Sequence, residues 1–235
     1  MRKVLYGWLK EVMGTEYNIE KVLSRKSDYS IVLAKNKSSG KYVIVREYLG
    51  NCDVYRILKG IEHDNLPLVY EAVTDGEHSL VIEEYVDGIT IGEVLETGTY
   101  TTEGVEKVVK NLVNALKILH KNNIVHRDIK PENIMISRNG DVKLIDFNIS
   151  RIFNEMCDRD TTILGTNGFA APEQYGIAET DPRTDIYAVG ILINVMLTGE
   201  HPARKLCTGR WKNVVNKCTR INPDDRYQNI EDILD

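Results

Sequence analysis

The sequence predicts an α+β fold that begins with a five-stranded antiparallel sheet and one helix and continues as a mainly helical region. Two patterns support this prediction. Before residue 85, short apolar runs alternate with turn residues, and after residue 88, apolar residues recur at helical intervals. The change falls at Tyr85-Val86-Asp87-Gly88, which we interpret as a hinge between two lobes. A chain of 235 residues is long enough for such a two-lobed domain with a sizeable core.

The first region contains five segments with strand character and one with helical character. The predicted strands cover 19–23, 31–35, 42–48, 68–73 and 79–84. Turn residues at 36–40 and at Asp75-Gly76 separate neighbouring strands, which indicates an antiparallel meander. Apolar residues at helical spacing predict a helix over 54–61, between the third and fourth strands.

The second region combines helices with one hairpin. The predicted helices are centred on 105–119, 186–197 and 211–218. Gly199 is expected to end the second of them. Two short strands at 134–136 and 142–145 bracket Asn139-Gly140, which predicts a hairpin with a type I′ turn.

Composition excludes some partners. The formal net charge is -5, and the basic residues are scattered along the chain. A nucleic-acid-binding protein usually concentrates basic residues in one patch, so we expect no nucleic-acid partner and no anionic membrane surface.

The sequence favours a cytoplasmic protein. The four cysteines are far apart, which indicates reduced thiols rather than a disulfide framework. The most apolar run, 186–197, is shorter than the roughly 18 residues of a membrane span, and the first 13 residues lack the apolar core of a signal peptide. We therefore expect no membrane insertion within this chain. The helical pattern reaches Asp235, which leaves open a longer natural protein with a membrane anchor beyond that residue.

Six polar side chains lie close together from His126 to Asn133, between two apolar segments. Asp128, Lys130 and Asn133 belong to this stretch, and Asp146 follows the predicted hairpin. Two carboxylates and an amide offer oxygen ligands to Mg²⁺, and the lysine offers a cation to a moving phosphoryl group. The pattern therefore indicates chemistry on a polyphosphate-metal complex. The alternative is that Asp128 and Asn133 only cap a tight loop.

Three motifs in order resemble the protein kinase family. The segment His126-Arg127-Asp128 with Lys130 and Asn133 resembles the catalytic loop, Asp146-Phe147 the metal-binding motif, and Ala171-Pro172-Glu173 the end of the activation segment. The likeness spans nearly the whole chain and is strongest to bacterial Ser/Thr kinases of the eukaryotic type. It implies one kinase domain over 1–235, with an N-lobe at 1–84, a hinge at 85–88 and a C-lobe at 89–235.

The resemblance implies a role for each residue of the polar stretch. Asp128 would accept or orient the proton of a substrate hydroxyl, and Lys130 would neutralise the transferring phosphoryl group. Asn133 and Asp146 would hold Mg²⁺, or Mn²⁺ in its place. Thr166 matches the position that contacts the catalytic aspartate and lysine in Ser/Thr kinases, so the expected partner is a protein with a serine or threonine acceptor.

The family likeness also implies nucleotide contacts, regulatory residues and structural pairs. The expected ATP contacts are Ile31, Ile44, Arg46, Glu84, Val86 and Met135, with Glu84 and Val86 acting through their backbones. Arg127 would receive a phosphate on Thr161 or Thr162, although both threonines are equally well interpreted as ordinary loop residues. His126 would be a packing residue, and Arg226 would pair with Glu173.

The N-lobe departs from the family pattern. The segment 24–30 contains no glycine, Arg46 stands where a lysine is usual, and Val54 stands where the partner glutamate belongs. Glu83 replaces a bulky apolar residue, and a buried carboxylate without a cation is costly, so we predict that Arg46 pairs with Glu83.

Three functions are compatible with the sequence. The first is an active Ser/Thr protein kinase with weak or unusual ATP handling, which the retained Asp128, Lys130, Asn133 and Asp146 favour. The second is a pseudokinase that binds or scaffolds with little catalysis, which the altered N-lobe favours. A small-molecule kinase is a third, weakened by Thr166 and the Ala171-Pro172-Glu173 motif. The short span 199–211 further predicts that the usual additional helix is missing there.

Overall fold

The computed structural model describes residues 2–153, 166, 168–176 and 179–235. The chain divides into two compact units, Met1–Val86 and Asp87–Asp235. The first unit carries the antiparallel sheet, and the second is mainly helical. None of the described helices has both the length and the apolar composition needed to cross a lipid bilayer.

The sheet of the first unit has the five strands that the sequence predicts. They are β1 (Tyr17–Lys26), β2 (Tyr29–Asn36), β3 (Tyr42–Leu49), β4 (Val69–Thr74) and β5 (His78–Glu84). Their order is β1-β2-β3-β5-β4, and every neighbouring pair is antiparallel. Two helices accompany the sheet, α1 (Arg2–Glu16) and α2 (Asp53–Leu58). The sequence predicted only α2, and it predicted that helix three residues too long at its C-terminal end.

The helix α1 was not predicted, although apolar residues recur at helical spacing in its sequence. Tyr6, Leu9 and Met13 lie at helical spacing and pack on the apolar face of the sheet formed by β2, β3, β4 and β5. Gly7, Lys10 and Glu11 are exposed.

Strand β3 places alternate side chains on opposite faces of the sheet. Val45 pairs with Val32 of β2 and Ile82 of β5, in the core under α1. Arg46 pairs with Ile31 and Val81, and its side chain is on the opposite face of the sheet. The ring of Tyr48, two residues beyond Arg46, lies 6.4 Å from that of Tyr55 in α2. The helix α2 therefore lies on the Arg46 side of the sheet.

The second unit consists of helices with two small sheets. Its main elements are β6 (Gly88–Thr90), α3 (Ile91–Leu95), α4 (Thr102–Lys121), β7 (Ile124–Val125), β8 (Ile134–Ser137), β9 (Val142–Leu144), β10 (Arg151–Ile152), α5 (Pro182–Thr198) and α6 (Trp211–Cys218). Short 3₁₀ turns occur at Pro131–Asn133, Pro172–Tyr175, Pro223–Asp225 and Ile230–Ile233. The three predicted helices correspond to α4, α5 and α6.

The hairpin of β8 and β9 is present, but the predicted type I′ turn is wrong. Gly140 has a φ of 85°, whereas Asn139 is not among the described non-glycine residues with positive φ. A type I′ turn needs positive φ at both central residues. The amide of Gly140 instead donates to the carbonyl of Ser137 at 2.9 Å, and the amide of Ser137 donates to the carbonyl of Asp141 at 2.8 Å. These bonds indicate a three-residue loop in which only the glycine is left-handed.

The connection from α5 to α6 contains no helix, as its length predicts, and Gly199 ends α5 with a φ of 73°. The fully buried Asn194 of α5 holds this connection. Its side chain donates to the carbonyls of Glu200 and Lys205 at 2.7 and 2.8 Å and accepts from the amide of Cys207 at 2.8 Å. The side-chain amide of a buried polar residue in an otherwise apolar helix thus has hydrogen-bond partners, all of them backbone groups of a connection without helix or strand.

Candidate active site

Asp128 is the centre of a hydrogen-bonded network in the second unit. Its Oδ1 accepts from the hydroxyl of Thr166 at 2.7 Å. Its Oδ2 accepts from Lys130 Nζ at 2.7 Å and from Asn133 Nδ2 at 2.8 Å. Lys130 Nζ also donates to the Thr166 hydroxyl at 2.9 Å. The structure thus brings together four of the residues that the sequence singled out.

The network holds Asp128 in its ionised form. Burial by itself would raise the pKa of this carboxyl group, but the hydrogen bonds from Lys130, Thr166 and Asn133 and the charge of Lys130 together lower the pKa below its ordinary value of 3.8. A carboxylate with a low pKa is a good hydrogen-bond acceptor and a weak base.

Asn133 is oriented so that its carbonyl oxygen is left for another ligand. Its Nδ2 donates to both the backbone carbonyl and the carboxylate of Asp128, and both partners can only accept. The backbone carbonyl of Asn133 accepts from the amide of Ile145 at 2.9 Å, which places Asp146 next along the chain from this contact. The arrangement fits the oxygen donors that Mg²⁺ prefers.

The oxygen donors of this site do not form a complete metal cage. In the described ranges, no group of three or more histidine, cysteine, aspartate or glutamate side chains is placed to hold a metal ion. Mg²⁺ usually binds to one or two carboxylates and completes its shell with water and substrate phosphates. Asn133 and Asp146 are suited to that partial role.

The fully buried Asp185, in the first turn of α5, anchors the segment before Asp128. Its carboxylate accepts from the amides of His126 and Arg127 at 2.9 and 2.8 Å and lies 2.8 Å from His120 Nε2. Burial raises the pKa of Asp185, but these partners outweigh burial and lower it overall. The contacts of Asp185 were missed because it lies 58 to 65 residues from its partners, and no sequence period links them.

Two bulky residues of the site have strained backbones. Among the described non-glycine residues, positive φ occurs at Asn123, Arg127 and Asp146, with 70° for Arg127 and 68° for Asp146. Such a conformation costs on the order of 1–3 kcal/mol and persists only where neighbours enforce it. Asp185 holds the amide of Arg127, and Gln174 Nε2 donates to the carbonyl of Arg127 at 2.8 Å.

His126 supports the loop, as the family likeness implied. Burial lowers its pKa, so the ring is neutral. Its Nδ1 accepts from the amide of Asp128 at 3.3 Å, so Nε2 carries the proton and donates to the carbonyl of Ile145 at 3.2 Å. The ring packs edge-on against Phe147 with their centroids 5.2 Å apart. These contacts leave His126 no role as an acid or base.

The Ala171-Pro172-Glu173 motif is fixed by the predicted pair with Arg226. Two parallel bonds of 2.7 and 2.9 Å join the guanidinium of Arg226 to the carboxylate of Glu173, and both residues are buried. Thr184 also donates to Glu173 at 2.9 Å. The predicted regulatory residues Thr161 and Thr162 lie outside the described residues.

The predicted pairing of Arg46 with Glu83 is confirmed in the first unit. Arg46 Nε donates to Glu83 Oε1 at 2.5 Å, and the two residues are only 5% and 2% exposed. Arg46 lies on β3 opposite Val81, two positions before Glu83 on β5, so the pair is a diagonal contact on one face of the sheet. Val54 of α2, at the position of the usual glutamate, is buried.

The glycine-free segment forms a tight hairpin. Ser24, Arg25 and Lys26 pair with Ile31, Ser30 and Tyr29, so the ladder of β1 and β2 continues to the turn. In the family pattern, a glycine-rich loop offers its backbone amides to the phosphates. In this chain, part of the corresponding backbone is paired in the ladder of β1 and β2.

The remaining predicted nucleotide contacts are distributed over both units. Ile31 and Ile44 lie on the Arg46 face of the first sheet. Glu84 is the last residue of β5, and Val86 lies two residues later. The Glu84 carboxylate accepts from the amide of Leu68 at 3.0 Å. Met135 lies on β8 of the second unit.

Comparison with known proteins identifies the family. The family model of the protein kinase domain matches residues 31–233. The serine/threonine-protein kinase PknL of Mycobacterium tuberculosis is 38% identical over 149 residues, which are 63% of this chain and 37% of PknL. A probable serine/threonine-protein kinase of Clostridium acetobutylicum is 30% identical over 200 residues, 74% of this chain and 30% of that protein. For the kinase PrkC of Bacillus subtilis, the identity is 29% over 198 residues, 74% of this chain and 31% of PrkC.

The chain therefore spans about a third of the length of these curated relatives. Their names agree with the likeness to bacterial Ser/Thr kinases that the motifs predicted. The family model covers most of the chain, from β2 to the last 3₁₀ turn, and the five-stranded sheet and mainly helical second unit fit the predicted α+β kinase fold. The chain belongs to the protein kinase family.

Proposed function

We propose that this chain is an ATP-dependent protein kinase that transfers the γ-phosphate to a serine or threonine hydroxyl of a protein substrate. The observation that carries the proposal is the network in which Asp128 contacts Lys130, Thr166 and Asn133 together. A loop cap needs one such contact, whereas phosphoryl transfer needs an acceptor, a cation and a metal ligand held close together.

Each member of the network has a distinct task. The ionised Asp128 accepts a hydrogen bond from the substrate hydroxyl and aims its oxygen at the phosphorus atom. Because the pKa of Asp128 is lowered, it takes up the proton only late in the transfer. Lys130 neutralises charge on the transferring group, and Thr166 holds both side chains in place.

Mg²⁺ or Mn²⁺, when bound, would supply positive charge that offsets the negative charge of the phosphates. The carbonyl oxygen of the Asn133 side chain and the carboxylate of Asp146 are the residues that would hold it.

In the first unit, the proposed phosphate contact is Arg46. Its position is set by Glu83 rather than by a glutamate on a helix. A guanidinium is planar and presents its donors in a fixed fork, so it does not reproduce the compact charge of a lysine ammonium. We therefore expect weaker ATP binding or slower turnover than a Lys-Glu pair supports. Arg127, next to Asp128, is the proposed receiver of a phosphate on Thr161 or Thr162.

A pseudokinase is the second candidate, and a specific observation favours it. The hairpin of β1 and β2 keeps its ladder up to Lys26 and Tyr29, and this reduces the number of backbone amides available to phosphates. A chain of this kind would retain the fold and bind partners or nucleotide with little transfer.

The two candidates differ in whether the chain transfers phosphate from ATP at a rate above background. With radiolabelled ATP, Mg²⁺ or Mn²⁺ and casein as a general acceptor, we expect slow labelling of this chain or of casein. Asp128→Asn keeps the size of the side chain and should lower labelling at least about 100-fold. Equal background labelling from both proteins supports the pseudokinase.

Two controls complete the comparison. Thermal melting establishes that Asp128→Asn is folded. Melting with and without Mg·ATP reports nucleotide binding separately, because a ligand of the folded state raises its stability.

A further inference from the structure

We propose that the first unit carries a second binding site, separate from the kinase site, for a small amphiphile with an apolar body and an anionic headgroup. The site is a cavity of about 640 Å³ between α1 and the sheet, which we call the α1 groove. Its volume lies within the range of about 300–1,000 Å³ typical of small-molecule sites. The residues that define it are Met13, Ile19, Arg25, Val32, Val45 and Glu47.

The body of the α1 groove is apolar and continues onto exposed apolar surface. Val32 and Val45 are neighbours across β2 and β3 and form its floor with Met13 of α1. The helix α1 packs over β2 to β5 but leaves the same face of β1 uncovered. Ile19 and Val22, on that face of β1, are 64% and 47% exposed. Apolar side chains that flank a cavity in this way favour a ligand with an apolar body.

One end of the α1 groove is polar and positively charged. Arg25, Ser30 and Glu47 lie level with one another across β1, β2 and β3. Lys10 at 2.7 Å and the hydroxyl of Tyr6 at 2.5 Å both donate to Glu47, so its charge is compensated. Within the described part of the chain, the Arg25 side chain has no ion pair or hydrogen bond.

Two cations set the chemistry of the ligand. Arg25 is exposed at this end of the α1 groove, and Lys37, which also lines it, donates to the backbone carbonyls of Gly14 and Thr15. The whole chain has a formal net charge of -5, so a positive end on an apolar groove runs against the general charge. A single carboxylate or phosphate headgroup complements Arg25, and the apolar floor fits an alkyl or ring body.

The test is a binding comparison on the whole chain with small probes below their micellar concentrations. Decanoate and decyl phosphate should bind and raise the melting temperature, whereas decanol, decyltrimethylammonium, acetate and inorganic phosphate should bind at least tenfold more weakly. Whether decanoate, decyl phosphate or both bind identifies the headgroup. Equal binding of decanol and decanoate, or of inorganic phosphate and decyl phosphate, overturns the proposal.

Variants locate the binding. Arg25→Glu should weaken decanoate or decyl phosphate about tenfold or more, while Lys41→Glu, the same charge change on an exposed turn of the same unit, should not. Ile19→Ser removes an exposed apolar contact, leaves the core intact and should weaken binding severalfold. If both Arg25→Glu and Ile19→Ser bind like the unmodified chain, the α1 groove is not the site.

Discussion

Two carboxylates of this chain, Asp128 in the second unit and Glu83 in the first, are held in different ways. Asp128 has three partners, of which Thr166 and Asn133 are neutral and Lys130 is charged. Glu83 contacts the guanidinium of Arg46, and both members of that ion pair are almost fully buried. A network shares the charge among several groups and tolerates the loss of one partner. A buried ion pair leaves an uncompensated charge when either member is removed.

The largest effect on stability is expected from breaking the buried pair. Glu83→Gln removes the carboxylate that the buried Arg46 Nε contacts and should lower the free energy of unfolding by about 3–5 kcal/mol. Urea denaturation measures this loss. The control is Glu71→Gln, which breaks the more exposed pair of Glu71 with Lys59 and should cost at most about 1 kcal/mol.

The double variant Arg46→Met with Glu83→Leu extends this test. Replacing both charges by apolar groups of similar size should restore most of the stability. A single variant that loses less than about 1 kcal/mol, or a double variant that is no better than the single one, would contradict the contrast drawn between the pair and the network.

Removal of the cation from the Asp128 network should affect transfer rather than folding. Lys130→Ala should lower the labelling rate by about 100- to 1,000-fold, because a cation aimed at the developing charge is lost. The free energy of unfolding should change by no more than about 1 kcal/mol, because Thr166 and Asn133 still hold Asp128. Lys121→Ala, at the exposed end of α4, is the matched control. A large loss of stability in Lys130→Ala would contradict the contrast, because the Asp128 network would then depend on one charged partner as the Arg46–Glu83 ion pair does.

Thr166 contributes a positioning hydroxyl, so its removal should have a smaller effect. Thr166→Ala should lower labelling about tenfold, whereas Thr166→Ser keeps the hydroxyl that contacts Asp128 and Lys130 and should retain most of the rate. Steady-state labelling of the three proteins measures the difference. Equal loss in the alanine and serine variants would show that the methyl group matters and the hydroxyl does not.

The smallest effect concerns pH and has a defined sign. The pKa of Asp128 is lower in the folded chain than its ordinary value of 3.8, so the stability contributed by Asp128 is fully present above that value. It is lost as the pH falls through the lower folded pKa. Urea denaturation between pH 2.5 and 6 should therefore show a smaller acid loss in Asp128→Asn than in the unmodified chain. Asp185 titrates in the same direction in both proteins, so only the difference between them reports on Asp128.

The sheet, the main helices and the Arg46–Glu83 pair were predictable because each leaves a local or chemical signal. Alternating apolar residues mark the strands. The family likeness places Glu83 at a buried position, where a carboxylate requires a cation. The helix α1 was missed although Leu5, Leu9, Val12 and Met13 recur at helical spacing, so the sequence did carry a signal for it. The turn type at Asn139-Gly140 was wrong because asparagine accepts more than one backbone conformation.

The support of the active-site loop by Asp185 was not predictable in detail. Its contacts with His120, His126 and Arg127 join segments about 60 residues apart, and only the folded chain brings them together. The residues of the network itself were predicted because they are close in sequence, with the exception of Thr166, which entered through the family likeness.

The diagonal contact of Arg46 with Glu83 has a consequence for control of the enzyme. Both residues are on neighbouring strands, and the ladder of β3 and β5 fixes the distance between their backbones. In kinases with a Lys-Glu pair, the glutamate is carried by a helix, and displacement of that helix breaks the pair. Here Val54 occupies the helix position, so movement of α2 neither makes nor breaks the ion pair. We therefore expect the position of the Arg46 guanidinium to be set by the sheet and not by the position of α2.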